Sequence, residues 1–341
     1  MAQNHDIGID LGTSQVLISA RGRGIVLREP AVVAVDRNTG KVLAVGSDAY
    51  KLIGRTPGNV QAVRPLRQGT VSDFELTKEL IHAMIKHAVG NHWFSRPRAV
   101  LALPTGVSDT EKRAILSVML DAGMRKTQLI DKPVASAIGI GLHFTEPYGN
   151  IIIDMGAGAS DIAVLSSSEV IVGTCTQIGG DYFDDAIIRY LRKKHNLLIG
   201  DRTAEEVKIT LGSAVPPDND LTMHVTGRNL ISGLPKTQTV SSLEIYDALK
   251  DPVADLIECI QSVIEHTPPQ LASDIFDDGI ILAGGAAQLS GLPDAIYQEL
   301  HIATGLADDP STTTVTGCAR ALENTPEMRS YLQDASRSRF L

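Results

Sequence analysis

Two segments of the chain read alike. Residues 7–19 are IGIDLGTSQVLIS and residues 151–166 are IIIDMGAGASDIAVLS. Each is an apolar strand ending in aspartate, then a glycine-rich turn, then a second apolar strand. They begin 144 residues apart in a chain of 341, at matching points of two halves, which points to an internal duplication. This constrains the fold strongly. Two alike α/β domains facing each other leave a cleft between them, the usual seat of a ligand.

Both copies continue as hairpins. Residues 25–27 and 31–35 follow the first, punctuated by Gly22, Gly24 and Pro30, and residues 170–176 follow the second, ending at Gly179-Gly180. Helix signals come next. Ser108-Asp-Thr-Glu111 is a capping box whose helix Gly123 closes, and Thr203-Ala-Glu-Glu206 predicts another, closing at Gly212. Asp251-Pro252 predicts a helix with proline at its first position, running to His266 before Pro268-Pro269 stops it. Leu80, Ile81, Met84, Ile85 and Ala88 form a helical apolar stripe, read as core.

Charge and composition trim the function classes. Lys and Arg total 31 against 40 Asp and Glu, a net charge of −9, and aromatics are 4% with a single tryptophan, Trp93. A nucleic-acid binder needs a basic face for phosphates and rings for stacking on bases, so no nucleic-acid partner is expected. The 43% apolar content is ample for a buried core. Cys175, Cys259 and Cys318 stand far apart, without CxxC or Cys/His spacing, as fits a reducing compartment and no structural metal. The start is polar, and no apolar run approaches the roughly 18–20 residues of a membrane span. A cytoplasmic α/β protein is expected.

Three glycine-rich turns stand directly after apolar strands: Asp10-Leu-Gly12-Thr13-Ser14, Asp154-Met-Gly156-Ala157-Gly158, and Gly284-Gly285-Ala286. Glycine lets backbone N–H groups approach a phosphate closely, and small hydroxyls add donors. A carboxylate at each strand end suits Mg²⁺, which keeps its waters and takes few protein ligands. Each turn alone also reads as a plain tight strand–strand turn. Two matched Asp-plus-glycine hairpins facing a third glycine turn read as a phosphate clamp. Neither a Walker-type lysine motif nor GxGxxG occurs in the sequence, so P-loop and Rossmann readings fall away.

The two Asp–Gly hairpins and the late Gly-Gly turn resemble the phosphate and adenosine motifs of the actin and heat-shock chaperone ATPase superfamily. The resemblance sharpens to the MreB family of bacterial actins through GRTPGNVQAVRPL (54–66), RKKHNLLIGDRTAEEVKITLGSA (192–214) and ISGLPKTQTVSS (231–242). It extends through residues 265–292 and 308–323, and covers roughly residues 5 to 325. It implies an α/β, actin-like ATPase fold: two duplicated ribonuclease-H-like domains around a nucleotide cleft, each with a smaller subdomain. Residues 1–150 plus 312–341 would form domain I, with a small subdomain at about 31–72. Residues 151–311 would form domain II, with a small subdomain at about 183–250. Gly12, Thr13, Ser14, Gly156, Ala157 and Gly158 would contact the phosphates of ATP. Glu205, Glu206 and Lys208 would approach ribose and base, Gly284, Gly285 and Ala286 would back the adenosine, and Asp10 and Asp154 would hold Mg²⁺ through water. Glu206 is also the capping residue of the 203–206 box, and one side chain is unsuited to both tasks.

The departures from the family pattern are informative. Where hydrolytic members read Ile-Glu-Glu-Pro, this chain has Ile130-Asp131-Lys132-Pro133, so a cation replaces the carboxylate that positions the attacking water. In the second phosphate turn, Ala159 replaces the threonine that is the water's other partner. Asp131 is the candidate substitute, with Ser160 and Asp161 as further ones. Alternatively, Lys132 pairs with the γ-phosphate and holds ATP without cleaving it. Both changes together suggest a paralogue that binds ATP with weak or absent hydrolysis.

Residues 80–108 contain no acidic side chain but carry Lys86, Arg96, Arg98 and three histidines around Trp93-Phe94. This resembles the family's membrane-insertion loop, with aromatic rings for the headgroup region and cations for anionic lipid. A core or filament contact for Trp93 is the alternative. Residues 55–65 and 230–242 are rich in turn residues and read as interface candidates. Three functions stay open: an ATPase filament with turnover, a filament scaffold that barely hydrolyses ATP, and a soluble chaperone- or kinase-like enzyme. The second is favoured. Expected partners are other copies of the chain, the inner face of the cell membrane, and wall-synthesis membrane proteins or MreB paralogues.

Overall fold

The computed structural model describes residues 6–54, 58–67, 70–90, 97–323 and 326–334. The first repeat becomes β1 (Ile7–Leu11), which turns at Gly12 and returns antiparallel as β2 (Gln15–Ala20), followed by β3 (Gly24–Pro30). Two later strands, β4 (Arg98–Leu103) and β5 (Lys126–Asp131), join on the other side in parallel, giving the order β5-β4-β1-β2-β3. The residues 333–334 extend the sheet beyond β5.

The second half repeats this plan. β6 (Asn150–Met155), β7 (Ser160–Ser166) and β8 (Glu169–Thr176) form the antiparallel meander, and β9 (Ile280–Ala283) and β10 (Thr304–Leu306) add in parallel. The order is β8-β7-β6-β9-β10. Even the register recurs: Ile7 pairs with Ala20 and Ala99, and Ile151 with Val164 and Ile280. The sequence repeat is therefore a repeat of topology. A small three-stranded sheet stands on each half: Val33–Asp36, Val42–Val45 and Val60–Val63 on the first, and Leu197–Leu198, Thr222–Asn229 and Pro235–Ser241 on the second.

Among the helices that bear on the site, α1 (Phe74–Val89) buries the expected stripe of Leu80, Ile81, Met84, Ile85 and Ala88. α2 (Asp109–Asp121) opens on the Ser108–Glu111 capping box and is followed by Gly123 at φ +87°. After β5 comes α3 (Lys132–Ile140), and the second half carries α4 (Gly180–His195), α5 (Asp201–Leu211), α6 (Ser242–Glu265) and α7 (Thr313–Ala321).

Two helix starts differ from expectation. α6 begins ten residues before Pro252, at a reciprocal capping box between Ser241 and Glu244, and the proline lies inside it. Its apolar face is continuous through Ile245, Leu249, Val253, Leu256 and Ile260, and this burial outweighs the one hydrogen bond that proline removes. α5 begins at Asp201, because the Gly200 carbonyl already accepts from the amides of Thr203 and Ala204. Thr203 is thus inside the helix, and Glu206 caps nothing. A third correction concerns charge: Arg98 donates to the buried Asp6 carboxylate through Nε and Nη2, at 3.0 and 2.6 Å, so its cation belongs to the fold rather than to a basic surface. Trp93, Phe94 and Arg96 lie outside the described residues.

The halves are joined by a crossing of α3 and α7. α3 leaves the first sheet and packs on β6 and β7 of the second, while α7 returns from the second half onto β1 and β2 of the first. Val100 and Ile130 of one sheet thereby share an apolar cluster with Ile152, Ala163 and Leu165 of the other. The crossing is at backbone distance. A Cβ built on Gly139 would collide with the Thr313 carbonyl, and one on Gly317 with the Ala135 carbonyl. Arg320 closes one end, its Nη1 donating to the Ile138 carbonyl at 2.6 Å. Gly317→Ala is expected to lower stability by about 1–3 kcal/mol or more, since neither backbone can yield without shifting a half. Gly305→Ala, where a Cβ meets nothing within 4 Å, should stay within about 0.5 kcal/mol of wild type. Urea unfolding of both variants checks this.

Candidate functional site

The two repeat hairpins end in the same four-residue turn. The Gly12 amide donates to the Gln15 carbonyl at 3.0 Å, and the Gly156 amide donates to the Ala159 carbonyl at 2.9 Å. A Cβ would press on those carbonyls at 2.7 and 3.1 Å, so side chains are unwelcome at both places. The third turn is wedged against the second: Gly284, at φ +85°, donates its amide to the Pro310 carbonyl and lies against the Met155 backbone. A fourth element, Gly179-Gly180, packs on the second turn, with the amides of Gly180 and Asp181 donating to the carbonyls of Gly156 and Ala157. These turns surround one cleft of about 620 Å³ between the halves.

The cleft gathers most of the expected residues. Gly12, Thr13 and Ser14 line it from the first turn, Gly156, Ala157, Gly158 and Ala159 from the second, and Gly284, Gly285 and Ala286 from the third. Asp10, Asp154, Lys132, Glu205 and Lys208 line it as well. Glu206 is exposed and outside the lining, because α5 turns it away from Glu205. Asp131 is half-buried at the cap position of α3, also outside the lining. Several lining residues escaped the sequence reading. Arg28, Gly180, Gln288, Ser311 and Thr314 are brought in by packing, and the Nη2 of Arg28 reaches Ser311 Oγ at 3.1 Å. Asp161, a further candidate substitute in the sequence, does line the cleft.

Charge concentrates on the cleft floor. Lys132, the first residue of α3, is buried, with Nζ 3.1 Å from Asp10 Oδ1. Asp154 Oδ2 accepts from Ser136 Oγ at 2.5 Å and from Thr314 Oγ1 at 2.6 Å. Asp161 Oδ1 accepts from the Thr105 amide at 2.6 Å. Burial works to discharge Lys132, but Asp10, Asp154 and Asp161 outweigh it and hold the amine above its usual range. Burial raises Asp10 as well, with Lys132 opposing, and pushes Asp161 up to about 7. Lys208 is engaged elsewhere, donating to the Gly180 carbonyl and to Asp184, both at 2.9 Å. It braces the fourth element from the cleft wall. Burial lifts Asp184 to about 6 against that lysine.

Chemically, the cleft sets the backbone of three glycine turns, with the hydroxyl residues Thr13 and Ser14 in the first, beside a group of carboxylates. Among the described residues, no group of three or more His, Cys, Asp or Glu is placed to hold a metal ion directly. Asp10 and Asp154 nevertheless fit Mg²⁺ held through water, since they supply hard oxygen atoms and no nitrogen or sulfur. One of those oxygens is already in contact with the Lys132 ammonium.

A family model described as MreB/Mbl protein matches residues 4–330. The cell shape-determining protein Mbl of Bacillus cereus is 42% identical over 319 residues, spanning 94% of this chain and 96% of its own length. The cell shape-determining protein MreB of Escherichia coli K12 is 40% identical over 325 residues, 94% of each chain. Among solved structures, MreB 5 of Spiroplasma citri bound to AMPPNP has a TM-score of 0.89 at 32% identity, covering 93% of this chain and 96% of that one. A MamK double helical filament has a TM-score of 0.80 at 20% identity, over 94% and 99%, and speaks for the actin-like fold alone. On the match across nearly its whole length, the chain belongs to the MreB/Mbl family.

Proposed function

We propose that this chain is an ATP-binding cytoskeletal protein that polymerises into membrane-associated filaments, governs cell shape and organises wall synthesis, with hydrolysis weak or absent. The observation that carries the reading is the cleft lining: the glycine turns share it with Lys132 and Ala159, neither of which accepts a proton from water. The relatives support it. Mbl of B. cereus and MreB of E. coli are named cell shape-determining proteins, and S. citri MreB 5 has been solved with AMPPNP and with ADP.

In this reading Gly12, Thr13, Ser14, Gly156, Ala157 and Gly158 line the phosphate site; the amides of Gly12 and Gly156 close their own turns, so the donors to phosphate come from the residues that follow them. Gly284, Gly285 and Ala286 form the wall behind adenosine, and Glu205 and Lys208 stand on the ribose and base side. Mg²⁺, when bound through the waters of Asp10 and Asp154, supplies positive charge to the phosphates. Asp161 is the carboxylate in reach of the same space, but the Thr105 amide binds one of its oxygens and burial favours its neutral form. Asp131 is no substitute base in this arrangement, being outside the lining. An ATPase filament with full turnover is the competing reading.

Phosphate release and sedimentation, measured in one sample, separate the two. Lys132→Glu with Ala159→Thr restores both water-positioning groups and should raise turnover roughly 10²–10⁴-fold, the usual range for a positioned base. Rapid release by the wild type, or an unchanged rate in the double variant, removes the assignment.

In the proposed reading the filament lies at the inner face of the membrane, in the cytoplasm, with Trp93 and Phe94 as the lipid contact. Other copies of the chain, MreB paralogues and wall-synthesis membrane proteins are its partners, and nucleic acid is not. Among the described residues no helix is long and apolar enough to cross a membrane. With Arg98 bound to Asp6, the attraction to lipid rests on the aromatic pair, Lys86 and Arg96, each cation contributing about 1 kcal/mol against an anionic surface. Trp93→Ala with Phe94→Ala should abolish flotation on anionic liposomes; retained flotation would assign the anchor elsewhere.

A further inference from the structure

Lys132 stands where a cation is difficult to keep. It is buried, and it opens α3, whose N-terminus is the positive end of the helix dipole. Both features work against an ammonium, so the charges facing it must hold it there. Asp10 from β1 does so by direct contact at 3.1 Å, and Asp154 from β6 and Asp161 from β7 line the same cleft. Asp10 and Asp154 are the equivalent strand-end residues of the two halves, and Asp161 is paired with Asp154 across the second hairpin. The ion pair of Lys132 with Asp10 therefore sets a cation that belongs to the fold in a cleft lined by carboxylates of both halves.

Such a floor has a definite requirement. Carboxylates collected in a buried cleft repel one another and repel an incoming polyphosphate, so the site needs positive charge before an anion can approach. A divalent ion is one way to supply it. Here a covalently attached cation already pairs with one member of the group and lines the same cleft. A second cation on the Asp10 carboxylate would meet like-charge repulsion from an ammonium at 3.1 Å from that carboxylate's oxygen. An ammonium has three donors, so it can contact Asp10 and still donate to a phosphate oxygen.

We propose that Lys132 is a tethered counter-cation, and that nucleotide polyphosphate binds this cleft with little dependence on Mg²⁺. The proposal rests on the nucleotide-binding reading above and extends it to the cation the site uses. Lys132 then has a binding role besides its effect on water: it replaces part of the charge a divalent ion would bring. Ser136 and Thr314, whose hydroxyls bind Asp154, reinforce this by satisfying one of that carboxylate's oxygens without any ion.

The test is calorimetric titration of the full chain with ATP, in excess Mg²⁺ and in EDTA. The wild type should bind in EDTA within about tenfold of its affinity in Mg²⁺, a difference of about 1.4 kcal/mol or less. Lys132→Met should bind in EDTA about 100-fold or more weakly than in Mg²⁺, and Lys132→Arg should keep the wild-type ratio. A wild type that loses affinity about 100-fold or more without Mg²⁺ overturns the proposal and leaves the nucleotide reading intact. A folded Met variant with the wild-type ratio also overturns it. A wild type that binds ATP in neither buffer overturns both readings. The wild-type ratio needs no variant, so a Met variant that fails to fold leaves that measurement to decide.

Discussion

The contact between α3 and α7 sets the geometry of everything else. Gly139 and Gly317 let the two helices meet backbone to backbone, and each helix then packs on the sheet of the half it did not come from. The same crossing delivers the chemistry. α3 opens on Lys132 and carries Ser136 one turn later, while α7 carries Thr314 in its first turn. Ser136 Oγ and Thr314 Oγ1 lie 2.8 Å apart, and both reach the same oxygen of Asp154. Packing between the halves and polar order at the cleft floor are thus one arrangement, and a shift of either helix would disturb both.

The floor itself is held by compensation between opposing effects. Desolvation raises Asp10 and Asp161 and acts to lower Lys132, and the attraction between them reverses the outcome only for the lysine. A buried ion pair of this kind is poor evidence of stability, because well-packed apolar groups often do as well. Its presence in a cleft lined with backbone donors is better explained by what the cleft binds. A neighbouring crevice between the halves is held more loosely. Arg64 of the first half reaches Asp181 at 3.4 Å, and Arg202 lies over the Tyr50 ring at 5.8 Å, both partly exposed contacts that solvent weakens.

What the sequence made legible was local. The duplicated strand–turn–strand unit, the Ser108 cap and the α1 stripe are decided by residues within a few positions of one another. The three glycine turns were readable for the same reason. The misreadings came where a local signal competed with a stronger one. Asp251-Pro252 looks like a helix start, but the Ser241–Glu244 box precedes it and the apolar face runs through it. Thr203 looks like a cap, but Gly200 opens the helix earlier and so turns Glu206 outward. Arg98 looked like part of a basic surface because its partner, Asp6, is 92 residues away in sequence. Arg28, Gly180 and Thr314 reach the cleft only through the topology, and no spacing in the chain announces them.

The duplication also explains how a symmetric frame comes to hold an asymmetric site. The two hairpins superpose residue for residue in their pairing: Asp10 faces Leu17 across the first, and Asp154 faces Asp161 across the second. Leu17 and Asp161 both line the cleft. One half thus places an apolar side chain where the other places a second carboxylate. α3 then completes the difference, because its lysine crosses from the first half into the carboxylate-rich side and pairs back to Asp10. The backbone supplies two equal cradles for an anion, and single side chains at equivalent positions give them unequal charge. A ligand bound between them would meet backbone on both sides and unequal charge, with no change to the frame.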